Sequence, residues 1–148
     1  MKVFKIYLEN SAIGGYFDDE FAEPTQKLFD MFLDGIYKPV ISVHVIDELS
    51  KGAPERVVNN LHTLNFEMIE ITEEMVILAE KYMDEHIVPE KYRDDALHIA
   101  IATVCKVDVL VSWNCKHIVN LNKIRLFNSI NIREGYNTLE IRTPEEVI

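Results

Sequence analysis

Two adjacent carboxylates, Asp94 and Asp95, open the run YRDDALHIAIATVC from Tyr92 to Cys105, which is otherwise almost wholly apolar. Leu97, Ile99, Ala100, Ile101 and Val104 recur nearly all round a helical projection, so a buried helix is expected. Buried helices rarely begin with charge. One reading makes Asp94 the N-cap and leaves Asp95 in the first turn, where unpaired N–H groups and the macrodipole favour an acid. The other holds Asp95 rigidly at the mouth of a cleft, as an oxygen ligand for a metal ion. Taken alone, the pair favours the cap. His98 lies three residues past Asp95 and shares its face.

Other acids occupy comparable places. Glu9 stands at the C-terminal end of the strand-like run KVFKIYL, and in open α/β sheets ligands bind at the carboxyl ends of strands. A solvated strand-end charge is the alternative. Glu48 lies in VHVIDELS, directly after a second strand, and Asp47 points about 100° away from it round the helix. His44, four residues before Glu48, is within reach of a helix-face hydrogen bond, although a partly buried structural histidine is the commoner outcome.

Strands and helices must alternate to position these groups. Strands are expected over Lys2–Leu8, Tyr37–Ser42, Phe66–Ile71, Asp108–Ser112 and Leu139–Ile141. Helices are expected from Asp18 to about Asp34, over Val43–Ser50, from Pro54, from Thr72 to about His86, through the DDALHIAIA run, and from Leu121 to about Glu134. Asn10, Ser11, Gly14 and Gly15 read as a permissive loop. Phe21, Leu28, Phe29, Phe32 and Leu33 supply the stripe of the first helix, and Met75, Ile77, Leu78, Ala79 and Tyr82 that of the helix after Thr72. The result is a doubly wound α/β fold with a mainly parallel sheet of about five strands and helices on both faces, one domain over residues 1–148.

Glu9-Asn10-Ser11 after the first strand, Asp47-Glu48 after the second, DDALHIAIA, and VSWNCKHI after a later strand come in a telling order. At these distances the sequence resembles the PIN-domain nucleases, particularly the bacterial and archaeal VapC-type toxins, over essentially its whole length. The resemblance implies a PIN-like fold and a cluster of acidic residues gathering Mg2+ or Mn2+ for endonucleolytic cleavage of RNA. On this chain the ligands, and with them the catalytic set, would be Glu9, Glu48 and Asp95, with Asn114 at the fourth position. The family usually has aspartate where Glu9 stands and an acid where Asn114 stands. Asparagine can still coordinate through its carbonyl oxygen but brings no charge. Ser11, Asp94 and His98 would support the ligands, Ser11 through its hydroxyl. A small antitoxin partner and a homodimer are also implied. The departures at Glu9 and Asn114 favour a rival: a weakened or inactive PIN-like module that binds a protein partner or RNA.

Composition limits the alternatives. Net charge is −10, which argues against a general nucleic-acid-coating protein. Residues 1–90 carry 18 acids and 7 bases, whereas residues 91–148 carry 7 and 8. Phosphate contacts are therefore expected from the second part, with Lys116 and Arg125 as the leading candidates among Lys91, Arg93, Lys116, Lys123 and Arg125. Trp113 would either stack on a base or line its loop. Cys105 and Cys115 lack the spacing of a zinc site or a secreted disulfide framework. No apolar run approaches the roughly 20 residues of a membrane span, and no signal peptide is evident, so a cytoplasmic protein is expected. Neither GxGxxG nor GKS/T is present, which removes dinucleotide and P-loop readings, and no aspartate nucleophile motif follows the first strand.

Overall fold

A computed structural model describes residues 2–148. Strand β1 (Phe4–Leu8) leads into helix α1 (Asn10–Gly14), a 3-10 turn at Gly15–Phe17, and helix α2 (Ala22–Leu33). Strand β2 (Tyr37–Ser42) passes directly into α3 (Val43–Ser50), followed by α4 (Glu55–Leu61), β3 (Glu67–Ile69) and α5 (Glu73–Asp84). A 3-10 turn at Glu90–Tyr92 precedes α6 (Arg93–Val104); β4 (Val109–Val111), α7 (Leu121–Arg133), β5 (Glu140–Arg142) and a 3-10 turn at Pro144–Val147 complete the order.

All strand pairs are parallel, in the order β3-β2-β1-β4-β5. The chain builds outward from β1 through β2 to β3, then returns to the opposite side of β1 to add β4 and β5. Right-handed crossovers therefore place α2–α4 on one face and α5–α7 on the other, and α5 packs against both α6 and α7. The strand order reverses between β1 and β4, and the crevice at the carboxyl ends of those strands is where such sheets bind ligands. Central β1 is covered on both faces, which its fully buried Ile6, Tyr7 and Leu8 require.

Short-range chemistry sets the boundaries. Ser42 ends β2 and caps α3, its hydroxyl accepting from Val45 N at 3.2 Å, so strand passes to helix with no loop. Thr72 caps α5 in the same way, accepting from Met75 N at 3.4 Å. Each such cap is worth about 1 kcal/mol. Gly35 and Gly135, at φ +76° and +89°, terminate α2 and α7 in the left-handed region that favours glycine.

Several expectations are corrected. The stretch after Leu8 is helical rather than a loop, because the Glu9 side chain caps α1 by accepting from Ser11 N. Gly15 has an ordinary helical φ of −58°, and its smallness serves packing: a Cβ there would lie 2.8 Å from the Trp113 ring. Helix α2 starts later than Asp18, whose carboxylate instead closes a turn by accepting from Glu20 N. Leu33 and Ile77, expected inside, are exposed, since each falls off the buried stripe of its helix. In α3 the buried face is Val45 and Leu49 rather than Val43. Asp94 does not cap α6. Tyr92 holds the N-cap position without a side-chain bond, and Asp94 and Asp95 both lie in the first turn.

Candidate metal centre

Three elements deliver carboxylates to the carboxyl edge of the sheet: the end of β1 carries Glu9, α3 leaves β2 carrying Glu48, and α6 begins with Asp94 and Asp95. Helix α6 is sequestered along its length, with Ala96 and every residue from His98 to Thr103 buried. Its first turn is thus held by the packing of the turns that follow.

Glu9 is 6% exposed, and a carboxylate so deep requires donors. It has three. Ser11 Oγ and Ser112 Oγ both donate to Oε1 at 2.5 Å, and Ser11 N donates to Oε2 at 3.1 Å. Ser112 follows β4, so Glu9 is fastened across the β1–β4 crevice. The same serines orient the next loop, Ser11 Oγ accepting from Trp113 N at 2.8 Å and Ser112 Oγ from Asn114 N at 2.9 Å.

Glu48 is fixed from the core. His98 Nε2 lies 2.5 Å from Glu48 Oε1, and His98 Nδ1 lies 2.8 Å from the Tyr7 hydroxyl, which lies 2.8 Å from Ser42 Oγ. A buried relay thus runs from the α3 cap through β1 to α6 and back to α3. Burial alone would lower the His98 pKa, but the Glu48 hydrogen bond and the charges of Glu9, Glu48 and Asp95 raise it above the ordinary value. Burial likewise opposes ionisation of Glu48, and the bond to His98 overrides it, leaving Glu48 below the usual carboxylate range. Burial pushes the Tyr7 phenol well up, so it stays protonated.

Asp95 is the strained member. Burial first, then the charge of Glu9, lifts its carboxyl to about 6, with Glu48 adding to the repulsion and His98 and Asn114 opposing it. Asn114 Nδ2 donates to Asp95 Oδ2 at 3.2 Å, while Asn114 Oδ1 accepts from His117 N at 3.0 Å. The amide therefore faces Asp95 with its NH2, and the oxygen expected as a ligand is engaged in the turn that leads to His117.

His44 lies 3.5 Å from Glu48 Oε1 and 3.4 Å from Asp94 Oδ1 through Nε2, too long and poorly directed for hydrogen bonds, so this buried nitrogen has no partner. Burial, followed by the neighbouring His98, lowers its pKa. Among the described residues, His44, Glu48 and His98 are the group of three potential ligand atoms lying within 4.8 Å of one another. The carboxylates of Glu9, Glu48 and Asp95 share one electrostatic environment without approaching that closely. Asp47 points away and pairs with Lys51 at 3.2 Å.

The cationic candidates gather nearby only in part. Lys116, with Lys123 and Lys91, flanks His117, whose pKa is lowered by burial and then by Lys123, Lys116 and Lys91 in turn. Arg125 is exposed on α7 and forms none of the ion pairs among the described residues. Trp113 is occupied, stacked on Phe21 at 4.3 Å and donating from Nε1 to Thr25 Oγ1 at 2.9 Å. Its role is to pin the loop that carries Asn114.

The donor chemistry fits a hard divalent cation. Three carboxylates share one electrostatic environment at the carboxyl edge of the sheet, and Asp95 is raised first by burial and then by the charge of Glu9. Sequence reading missed Tyr7, Ser42 and Ser112. The first had a signal, because a tyrosine in a strand buried on both faces must find a partner for its hydroxyl.

No family model and no curated protein matches the sequence. Solved structures do match. A chain of VapBC2 from Rickettsia felis, crystallised bound to a DNA fragment from the promoter, aligns at TM-score 0.57 and 17% identity, covering 93% of this chain and 98% of that one. A chain of a toxin-antitoxin complex from Klebsiella pneumoniae aligns at 0.58 and 15%, covering 80% and 93%. A chain of FitAcB from Neisseria gonorrhoeae aligns at 0.58 and 12%, covering 94% and 97%. The fold is that of the PIN-domain, VapC-type toxins.

Proposed function

We propose that this chain is a divalent-metal-dependent endoribonuclease of the PIN toxin type, working in the cytoplasm as one domain over residues 1–148. The observation that carries this reading is Asp95: its carboxyl is pushed up to about 6 by burial and by Glu9, a repulsion that a bound cation relieves. Glu9, Glu48 and Asp95 would hold Mg2+ or Mn2+, which suit an all-oxygen site. Such an ion supplies an acidified water for attack on a phosphodiester and neutralises charge developing at phosphorus.

The chain's own residues hold this arrangement. Ser11 and Ser112 fix Glu9, the His98–Tyr7–Ser42 relay fixes Glu48, and Asn114 donates to Asp95. Asp94 sits in the same first turn beside His44. Lys116 and Arg125, with Lys91 and Lys123, offer charge to RNA phosphates in a protein otherwise strongly acidic. The complexes named toxin-antitoxin among the similar structures support a small antitoxin partner, and a homodimer is proposed with it.

One observation favours a second reading, a PIN-like module that binds a partner without cleaving. Asn114 brings no charge and turns its NH2 toward Asp95, so three anionic ligands stand where the family usually adds an acid at the fourth position. The deciding experiment is cleavage of a mixed single-stranded RNA pool with Mn2+, using Asp95→Asn as blank. Cleavage that exceeds the blank and stops with chelator supports the nuclease; activity equal to the blank leaves the binding module.

A further inference from the structure

His44, Glu48 and His98 form a second cluster with different chemistry. Its ligand atoms are two imidazole nitrogens and one carboxylate oxygen, all within 4.8 Å, and a fourth group, Asp94 Oδ1, stands 3.4 Å from His44 Nε2. Imidazole suits Zn2+ and its first-row neighbours, whereas Mg2+ takes oxygen. We propose that these residues form a site for a borderline divalent transition ion such as Zn2+, separate from the carboxylate centre but sharing Glu48 with it.

Geometry supports the assignment. Ligand atoms around a tetrahedral ion with bonds of about 2.0–2.2 Å sit roughly 3.3–3.6 Å apart. The His44–Glu48 separation is 3.5 Å and the His44–Asp94 separation 3.4 Å, so both already have that spacing. His98–Glu48, at 2.5 Å, must open by about 1 Å, and Asp94, outside the group whose atoms lie within 4.8 Å, must close in. The two rings are tilted at 47° with centroids 4.7 Å apart, and the Nε2 atom of each faces Glu48 Oε1, at 3.5 Å from His44 and 2.5 Å from His98.

An unpartnered atom points to the same place. The side chain of His44 is 11% exposed, and its Nε2 is buried without a hydrogen bond, a desolvation cost that a bound ion removes. His98 already has the outer support that ligating histidines use. With the proton on Nδ1, His98 donates to the Tyr7 oxygen, Tyr7 donates to Ser42, and Nε2 presents its lone pair once the proton it shares with Glu48 is released to solvent as the ion binds. Asp94 is 65% exposed, free to swing into the fourth position.

An ion held here engages Glu48, so it competes with the carboxylate centre. That consequence rests on the proposed nuclease; the binding does not. Zn2+ binding is measured by calorimetry, and Co2+ is added separately for its visible spectrum, in wild type, His44→Ala, Asp94→Asn and Asp95→Asn.

Wild type is expected to take one equivalent of Zn2+ with Mg2+ present in excess, and to give a tetrahedral Co2+ spectrum free of sulfur charge transfer. His44→Ala should weaken Zn2+ by more than the roughly 10–100-fold that loss of a mere supporting partner costs, while keeping the wild-type circular dichroism and Mn2+ affinity. Asp95→Asn should keep Zn2+ and lose Mn2+. Asp94→Asn, at a 65% exposed position, should weaken Zn2+ several-fold while keeping the wild-type circular dichroism. No Zn2+ uptake by wild type, equal affinity in His44→Ala, a sulfur band from Cys105 or Cys115, or simultaneous loss of both metals in Asp95→Asn would overturn the proposal. Loss of Mn2+ binding by every protein with Zn2+ retained would overturn the nuclease reading alone.

Discussion

Tyr7 and His98 are 91 residues apart in the chain and meet through a 2.8 Å contact between the phenol oxygen and Nδ1. That contact joins the centre of the sheet to the buried helix and decides how His98 presents itself to Glu48. Removing the phenol oxygen with Tyr7→Phe strands the buried His98 Nδ1 and leaves Ser42 Oγ with only the bond from Val45 N. The variant should lose about 1–3 kcal/mol of stability per stranded group, and Mn2+ affinity should fall about 10-fold or more through loss of support for Glu48. Denaturant melts and Mn2+ titration check this; unchanged values of both would mean that the relay does not orient Glu48.

Asp95 gives stability a sign with pH. Its folded-state carboxyl titrates at about 6 against an ordinary 3.8, so between about pH 4 and 6 the folded chain holds more protons at this site than the unfolded chain. Metal-free stability contributed by this group therefore falls as pH rises through that window. Glu48 has the opposite sign, its lowered pKa favouring the fold above the ordinary carboxylate range and losing that benefit in acid. The difference between wild type and Asp95→Asn isolates Asp95. In chelator, the variant should melt higher at pH 7, and the gap should close toward pH 4. A gap independent of pH contradicts the assigned repulsion.

Glu9→Asp tests whether the longer acid is native to its crevice. One methylene less withdraws the carboxylate from Ser112 and Ser11, whose hydroxyls now sit at 2.5 Å. Hydrogen bonds to charged groups contribute about 1.5–3 kcal/mol each. The variant should therefore melt lower, and any RNA cleavage should fall, since a displacement of about 1 Å can cost about 100-fold in rate. Higher activity in Glu9→Asp would show that the glutamate is a handicap rather than a fitted ligand.

The frame was legible because it follows from local rules. β2 and α3 have the boundaries that the strand-like YKPVIS and VHVIDELS runs imply, since Ser42 ends one and caps the other. The all-round apolar pattern of DDALHIAIA announced the burial of α6. Less was legible where meaning depends on partners far along the chain. Nothing local in Ser112 shows that it fastens Glu9, because the bond spans 103 residues. The direction of the Asn114 amide depends on His117 N, and the use of Trp113 as a loop anchor depends on Phe21 and Thr25. Helical structure after Leu8 escaped because the capping group was Glu9, a residue seldom used as an N-cap.

Asn114→Asp should act in opposite directions with and without metal. The variant keeps an oxygen for His117 N but replaces the NH2 facing Asp95 with a like charge. Metal-free melting should drop, and Mn2+ affinity should rise. A fall in both would mean that the donated hydrogen bond to Asp95 matters more than the added charge.

Single-strand RNA binding should be weak and salt-dependent, since few phosphates are neutralised. Each phosphate contact contributes a slope of about 0.7 in log K against log salt. Lys116→Ala with Arg125→Ala should lower that slope by about 1.4 if both residues touch phosphate. Because Lys116 shares the surroundings of His117 with Lys123 and Lys91, Lys123→Ala should reduce it further. A salt slope unmoved by all three substitutions removes this surface from RNA contact.

In the proposed nuclease Glu9, Glu48 and Asp95, delivered by three separate elements, act as one cation site. Calorimetric titration of Mn2+ into wild type, Glu9→Gln, Glu48→Gln and Asp95→Asn tests it directly. One tight equivalent is expected in wild type and a loss of at least about 10-fold in each variant, with the melting-temperature rise caused by Mn2+ disappearing in parallel. Equal Mn2+ affinity and equal stabilisation in all four proteins would contradict it, leaving Glu9 as a helix cap, Glu48 as a partner of His98 and Asp95 as a first-turn acid.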